Sequence, residues 1–144
     1  MTNKILHFPA SGLRHCPTRT TPALAPEQIA DALGSGMCPM DSSFDQFLSD
    51  PMRALSSQYW TPLAVAARAA EWFAERNIRT VVDIGSGAGK FCIGAALAGH
   101  CYFTGLEHRE RLVTAARALA RTFKVESRVH FLRGALGATR LPSA

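Results

Sequence analysis

No apolar run in this chain approaches the ~20 residues that a membrane span requires. The N-terminus offers only Lys4 and then Ile5-Leu6-His7-Phe8-Pro9, too short for the core of a secretion signal, so the expected location is cytoplasmic. Cys16, Cys38, Cys92 and Cys101 make no C-x-x-C pair and no Cys/His set with zinc-finger spacing. His15, Cys16 and Cys38 together lack a fourth ligand, so no metal site is expected. Cys92 and Cys101 fall in an expected helix and strand and read as small core residues. Internal repeats are missing too, and the only compositional bias is a richness in alanine. What remains is 144 residues, 47% of them hydrophobic, enough for one domain with a core of its own.

The formal charge of +5 is unevenly spread. Residues 1–60 hold four Lys/Arg against five Asp/Glu, and residues 61–144 hold twelve against six. Much of the excess lies between His108 and Lys124, in Arg109, Arg111, Arg117, Arg121 and Lys124. A nucleic-acid surface would explain the cluster, but no aromatic side chains are interleaved to stack bases. Leu112, Ala116, Leu119 and Phe123 recur at helical spacing and make a core stripe, with the basic residues on the far side. A solvated helix face is favoured over nucleic acid.

Prolines 9, 17, 22 and 26, with Ser, Thr and Gly between them, mark an irregular arm. Pro26 to Leu33 reads as a short helix stopped by Gly34, and Gly34 to Ser43 as a loop. Phe44 to Ala54 has scattered apolar residues, and Pro51 is expected to interrupt any helix there. Regular structure begins at Thr61-Pro62, where Thr61 suits a helix cap and Pro62 the first helical position, with Asn77 closing that helix. The order expected afterwards is strand 79–84, helix 88–98, strand 101–106, helix 108–123 and strand 128–133. Such alternation predicts an α/β fold, a partial Rossmann-like parallel sheet of three strands with flanking helices. The expected division is residues 1–58 as an irregular arm with short helices and residues 59–144 as the α/β domain.

Val81 to Lys90 carries most of the functional information. A β-branched strand runs straight into Gly85-Ser86-Gly87-Ala88-Gly89 and then an apolar helix. In that layout backbone N–H groups at a helix N-terminus approach a nucleotide-like ligand, and Gly85 and Gly87 permit close approach. A P-loop needs G-x-x-x-x-G-K-[ST], but Lys90 is followed by Phe91 and Ile84 stands where the first glycine belongs. A dinucleotide fingerprint needs G-x-G-x-x-G, whereas the glycines here follow G-x-G-x-G. Asp83 would also face a pyrophosphate. An acid at that point suits a cofactor with a cationic amino group, and Glu107, ending the next strand, suits a ribose diol.

Asp83-Ile84-Gly85-Ser86-Gly87-Ala88-Gly89 together with Gly105-Leu106-Glu107 resembles the cofactor-binding half of class I S-adenosylmethionine-dependent methyltransferases, over roughly Tyr59 to Ala135. The resemblance implies that S-adenosylmethionine is the cofactor and that Asp83, Gly85, Ser86, Gly87, Gly89 and Glu107 bind it. In that family the segment before the first core helix often folds over the methionine part of the cofactor, which would add Thr61. The alternative for Tyr59-Trp60-Thr61-Pro62 is a plain helix start with Trp60 as a core anchor. The family commonly places a polar residue after the third strand for the adenine. Here Gly134 and Ala135 stand instead, so a backbone N–H and C=O would have to serve. Strands beyond the third, which bring the acceptor site in that family, are not legible. The expectation is a truncated, cofactor-binding half with little or no activity alone and no identifiable methyl acceptor or catalytic base. Its first strand, ordinarily central, would have an unpaired edge that invites self-association. A non-catalytic interaction module is the alternative, and a nicotinamide-dependent oxidoreductase half is disfavoured by the glycine spacing and by Asp83.

Overall fold

A computed structural model describes residues 23–141. The expected irregular arm with Pro9, Pro17 and Pro22, and the His15-Cys16 pair, lie outside the described residues. The chain runs through four helices, α1 (Pro26–Gly34), α2 (Asp41–Asp45), α3 (Asp50–Tyr59) and α4 (Leu63–Glu75). It then alternates through β1 (Thr80–Ile84), α5 (Lys90–Ala98), β2 (Tyr102–Glu107), α6 (Glu110–Thr122) and β3 (Val129–Arg133). The strands form one parallel sheet in the order β1-β2-β3. Val81 pairs with Phe103 and Phe103 with Val129, while Asp83 pairs with Gly105 and Gly105 with Phe131. This is the expected α/β, partial Rossmann-like sheet.

Alternation along the strands decides what the sheet buries. Phe103, Val129 and Phe131 are buried under the helices, whereas Val82, Ile84 and Tyr102, at positions of the other parity, are 42%, 47% and 53% exposed. Among the described residues no strand lies beyond β1, so its outer edge is open as well. None of the described helices is long and apolar enough to cross a membrane.

α5 is apolar nearly all round and packs against α4 through small residues. Ala66, Ala70, Ala95 and Ala96 are buried there, and a Cβ on Gly94 would come within 2.9 Å of Leu63. Small side chains let the two helix backbones approach closely. α6 buries Leu112, Ala116 and Leu119, and Phe123 just past its end completes the stripe expected from the spacing. Asn77 adopts φ 55° and closes α4 as expected, with the Ile78 N–H returning to the Phe73 carbonyl at 2.9 Å.

Three expectations about the first four helices fail. Pro51 does not interrupt a helix but lies in the first turn of α3, where a missing N–H costs no intrahelical bond. Asp41–Asp45 forms a helical turn that takes in Asp41 to Ser43, the last three residues of the expected loop. α1 and the segment around α2 are fastened to the α/β layers. Phe44 stacks on Phe123 with ring centroids 5.0 Å apart, Phe47 meets the same ring edge-on at 5.3 Å, and Ile29 and Leu33 join the same buried cluster. Thr61 does not cap α4 either. Pro62 occupies the cap position, and Asp41 Oδ1 accepts the Leu63 N–H at 2.7 Å from a separate helix.

Candidate functional site

β1 stops at Ile84 because the chain must turn sharply to enter α5 beneath it. Gly85, Gly87 and Gly89 all have positive φ, at 80°, 58° and 83°. For Gly85 the constraint is conformational, since a Cβ there would meet only open space. Gly89 is held by packing as well: a Cβ there would overlap the Phe131 ring. Gly89 therefore serves the docking of α5 on the sheet. The N–H groups of Gly85 and Ser86 both donate to the Leu106 carbonyl, at 2.8 and 3.1 Å, tying the turn to the end of β2.

That tie brings the two acids to either side of the turn. Glu107 is 2% exposed, and its Oε2 accepts the Gly87 N–H at 3.1 Å. Arg109 supplies the other donors: its N–H and Nε to Oε1, both at 2.9 Å, and its Nη2 to Oε2 at 3.1 Å. His108 Nδ1 lies 3.2 Å from Oε1. The Arg109 guanidinium, helped by the backbone N–H groups of Arg109 and Gly87, outweighs burial and holds the Glu107 carboxyl at about 2. A carboxylate offers about four lone-pair sites, and those four hydrogen bonds fill them. The Arg109 side chain is 54% exposed, so water can receive it when it lets go.

Asp83 faces the same side of the sheet one strand away. Its Oδ2 accepts a hydrogen bond from Cys92 Sγ at 3.3 Å, and burial pushes its carboxyl up, only partly offset by that thiol. Asp83 borders a small cavity of about 60 Å³ together with Thr61, Gly85, Ser86 and Lys90. That volume holds a small polar group rather than a whole cofactor. Ser86 Oγ is buried without a hydrogen-bond partner, an unused polar atom in the turn itself. Trp60 lines the same cavity and reaches the turn, close enough that a Gly87 Cβ would lie 3.2 Å from its indole nitrogen. Trp60 thus packs on the core and on the turn at once.

Lys90 is the residue whose role spacing concealed. It opens α5 yet is 2% exposed, with Nζ 3.0 Å from Asp45 Oδ1, 3.4 Å from Asp41 Oδ1 and 3.1 Å from Ser56 Oγ. Ser56 in turn donates to Asp45 at 2.8 Å. One buried cluster therefore pins α2 and α3 to the start of α5. After β3, the N–H groups of Gly134 and Ala135 already donate to the Glu107 carbonyl at 3.0 Å and to Thr139 Oγ1 at 3.1 Å. The backbone N–H expected to serve an adenine is thus in use. A larger groove of about 370 Å³ lies between α3 and the first turn of α6, lined by Met52, Leu55 and Leu112 with Arg109 at its rim. It shares no lining residue with the Asp83 cavity, so size alone does not mark the site.

No family profile matches the chain, and no curated protein is similar to it in sequence. Solved structures are similar in fold. An O-methyltransferase from Bacillus cereus, in complex with S-adenosylhomocysteine, is 18% identical over 74% of this chain and 49% of its own, with a TM-score of 0.57. A Klebsiella pneumoniae protein provisionally described as an O-methyltransferase is 19% identical over the same shares, with a TM-score of 0.56. The described residues have a class I methyltransferase fold in part. It spans about half the length of the two solved structures it matches here.

Proposed function

We propose that this chain is the cofactor-binding half of an S-adenosylmethionine-dependent methyltransferase. The observation that supports the reading best is the pairing of Asp83 and Glu107 across the glycine turn, each on the buried side at the end of adjacent strands. Methyl transfer from a sulfonium needs binding and aim more than covalent help, because the cofactor supplies an electrophilic methyl group. Asp83 Oδ1, which no described residue donates to, would take the ammonium of the methionine end. Thr61 and Ser86 border the same cavity. Glu107 would receive the ribose hydroxyls in place of the Arg109 guanidinium, while Gly85 and Gly87 keep the turn free of side chains. His108 is 73% exposed, and no side chain here stands as a base for the acceptor, whose identity is left open.

Three of the five basic residues from Arg109 to Lys124 are held by protein groups, which favours a solvated helix face over a nucleic-acid surface. Arg109, Arg117, Lys124 and Arg133 are each engaged by protein groups, Arg117 by two hydrogen bonds to the Phe131 carbonyl at 3.1 and 2.8 Å. Cys38, Cys92 and Cys101 are free thiols, which suits a reducing cytoplasmic setting. A second reading, an interaction module, draws on the open edge of β1 and the half-exposed Val82 and Ile84 beside it; self-association through that edge belongs to it. Calorimetric titration with S-adenosylhomocysteine, with NAD as comparator, separates the readings. Weak but specific heat with the first supports the cofactor half. Tighter binding of NAD overturns it, and no binding of either favours the interaction module.

A further inference from the structure

We propose that Cys92 is a positioning residue for Asp83: its thiol donates to Oδ2 and so turns Oδ1 toward the cavity that would receive the ligand's cationic group. The ligand side of this inference rests on the methyltransferase reading; the side-chain pairing does not. Cys92 looked like plain core filling because it is an apolar-sized residue in an apolar helix. The structure gives it a polar contact instead. It lies in the first turn of α5, fully buried, with Sγ 3.3 Å from Asp83 Oδ2. No other described side chain donates to that carboxylate. One tethered oxygen biases the orientation of the carboxylate, and Asp83 lines the cavity beside the turn.

The direction of the hydrogen bond follows from charge. Burial pushes the Cys92 thiol well up, and the neighbouring Asp83 carboxylate pushes it the same way, so sulfur keeps its proton and acts as donor. The other ionisable groups bordering the cavity do not compete for Asp83. Lys90 of α5 is spent on Asp41 and Asp45 of α2 and on Ser56 of α3, and Tyr59 ends α3 with 74% exposure. On β2 the residue paired with Asp83 is Gly105, which carries no charge.

The test uses the full chain with carbon-13 at the aspartate carboxyls, the Asp83 signal being assigned by its loss in Asp83→Asn. Its titration is followed in the wild type, Cys92→Ala and Cys92→Ser. Removing the donor in Cys92→Ala should move the Asp83 midpoint up by about half to one pH unit, the equivalent of one ordinary net hydrogen bond. Cys92→Ser, which keeps a donor, should return it to the wild-type value or below. Binding of S-adenosylhomocysteine should lose affinity on the acid side at a correspondingly higher pH in Cys92→Ala, and Ser should rescue it. An Asp83 midpoint that does not move in Cys92→Ala overturns the assignment, even if the ligand binds. A midpoint that moves while no variant binds S-adenosylhomocysteine at any pH overturns the methyltransferase reading, and Cys92's role toward a ligand with it.

Discussion

Lys90→Met is the substitution expected to damage this fold most for its size. The ammonium it removes is 2% exposed and serves Asp45, whose side chain is 9% exposed, Asp41 at 41%, and Ser56. Taking one partner from a buried ion pair leaves the other as an uncompensated charge, which costs about 3–5 kcal/mol. Two features place the loss near the lower end of that range. Asp41 is partly in water and keeps its bond from the Leu63 N–H, and Asp45 keeps the Ser56 hydroxyl at 2.8 Å. A loss of about 3 kcal/mol is therefore expected from urea denaturation of the full chain. The second half of the experiment isolates the charge. Adding Asp45→Asn to Lys90→Met removes the stranded anion and should recover much of the loss, because the cost lies in the unpaired partner more than in the missing bond. A single-variant loss under about 1 kcal/mol, the range of an exposed pair, would refute the assignment of Lys90 as a buried anchor. So would a double variant no more stable than the single one.

Glu107→Gln tests the other buried acid through pH. The folded carboxyl is held at about 2 against an ordinary 4.5, so its contribution is complete above about pH 4.5 and is lost as pH falls toward 2. The stability gap between wild type and Glu107→Gln should stay constant from neutral pH down to that point and then close. A gap that closes between pH 8 and 6 instead would mean that another group titrates. Arg109→Ala should tighten S-adenosylhomocysteine binding by up to about fivefold, since a half-exposed ion pair holds ~0.2–1 kcal/mol that the ribose no longer has to displace. Weaker binding in calorimetry would show that the guanidinium assists the ligand. Finally, the 144-residue chain alone should show no transfer of labelled methyl from S-adenosylmethionine to cell-extract acceptors. Proximity and orientation account for ~7–11 kcal/mol of such a barrier, and none of the described residues is assigned to an acceptor.

The alternating elements from α4 to β3 were legible because each is written locally. The Val81–Ile84 run, the apolar stretch after Gly89 and the Leu112-Ala116-Leu119-Phe123 stripe declare strand, buried helix and amphipathic helix without reference to any other segment. α2 and α3 were not, because their case is tertiary: Phe44 is a stray aromatic until it stacks on Phe123, and Pro51 looks like a breaker until the helix is seen to begin around it. The site divides the same way. Asp83, Glu107 and the glycines stood out by spacing, and the fold brings both acids to the turn. Lys90 with Asp45, Cys92 with Asp83, and Asp41 over the start of α4 are pairings between separate elements, which no spacing rule encodes. Thr61 was the natural cap by residue type, and Asp41 took that work from another helix.

The most direct measurement is a map of backbone amide shifts of the full chain as S-adenosylhomocysteine is added, with NAD added to a parallel sample. Binding at the proposed site should move the amides of Gly85, Ser86, Gly87 and Glu107, together with Thr61 and the freed Arg109, and NAD should move none of them. Shifts confined to Met52, Leu55 and Leu112 in the groove between α3 and α6, or equal shifts at the turn with NAD, would contradict the assignment of this turn as an S-adenosylmethionine site.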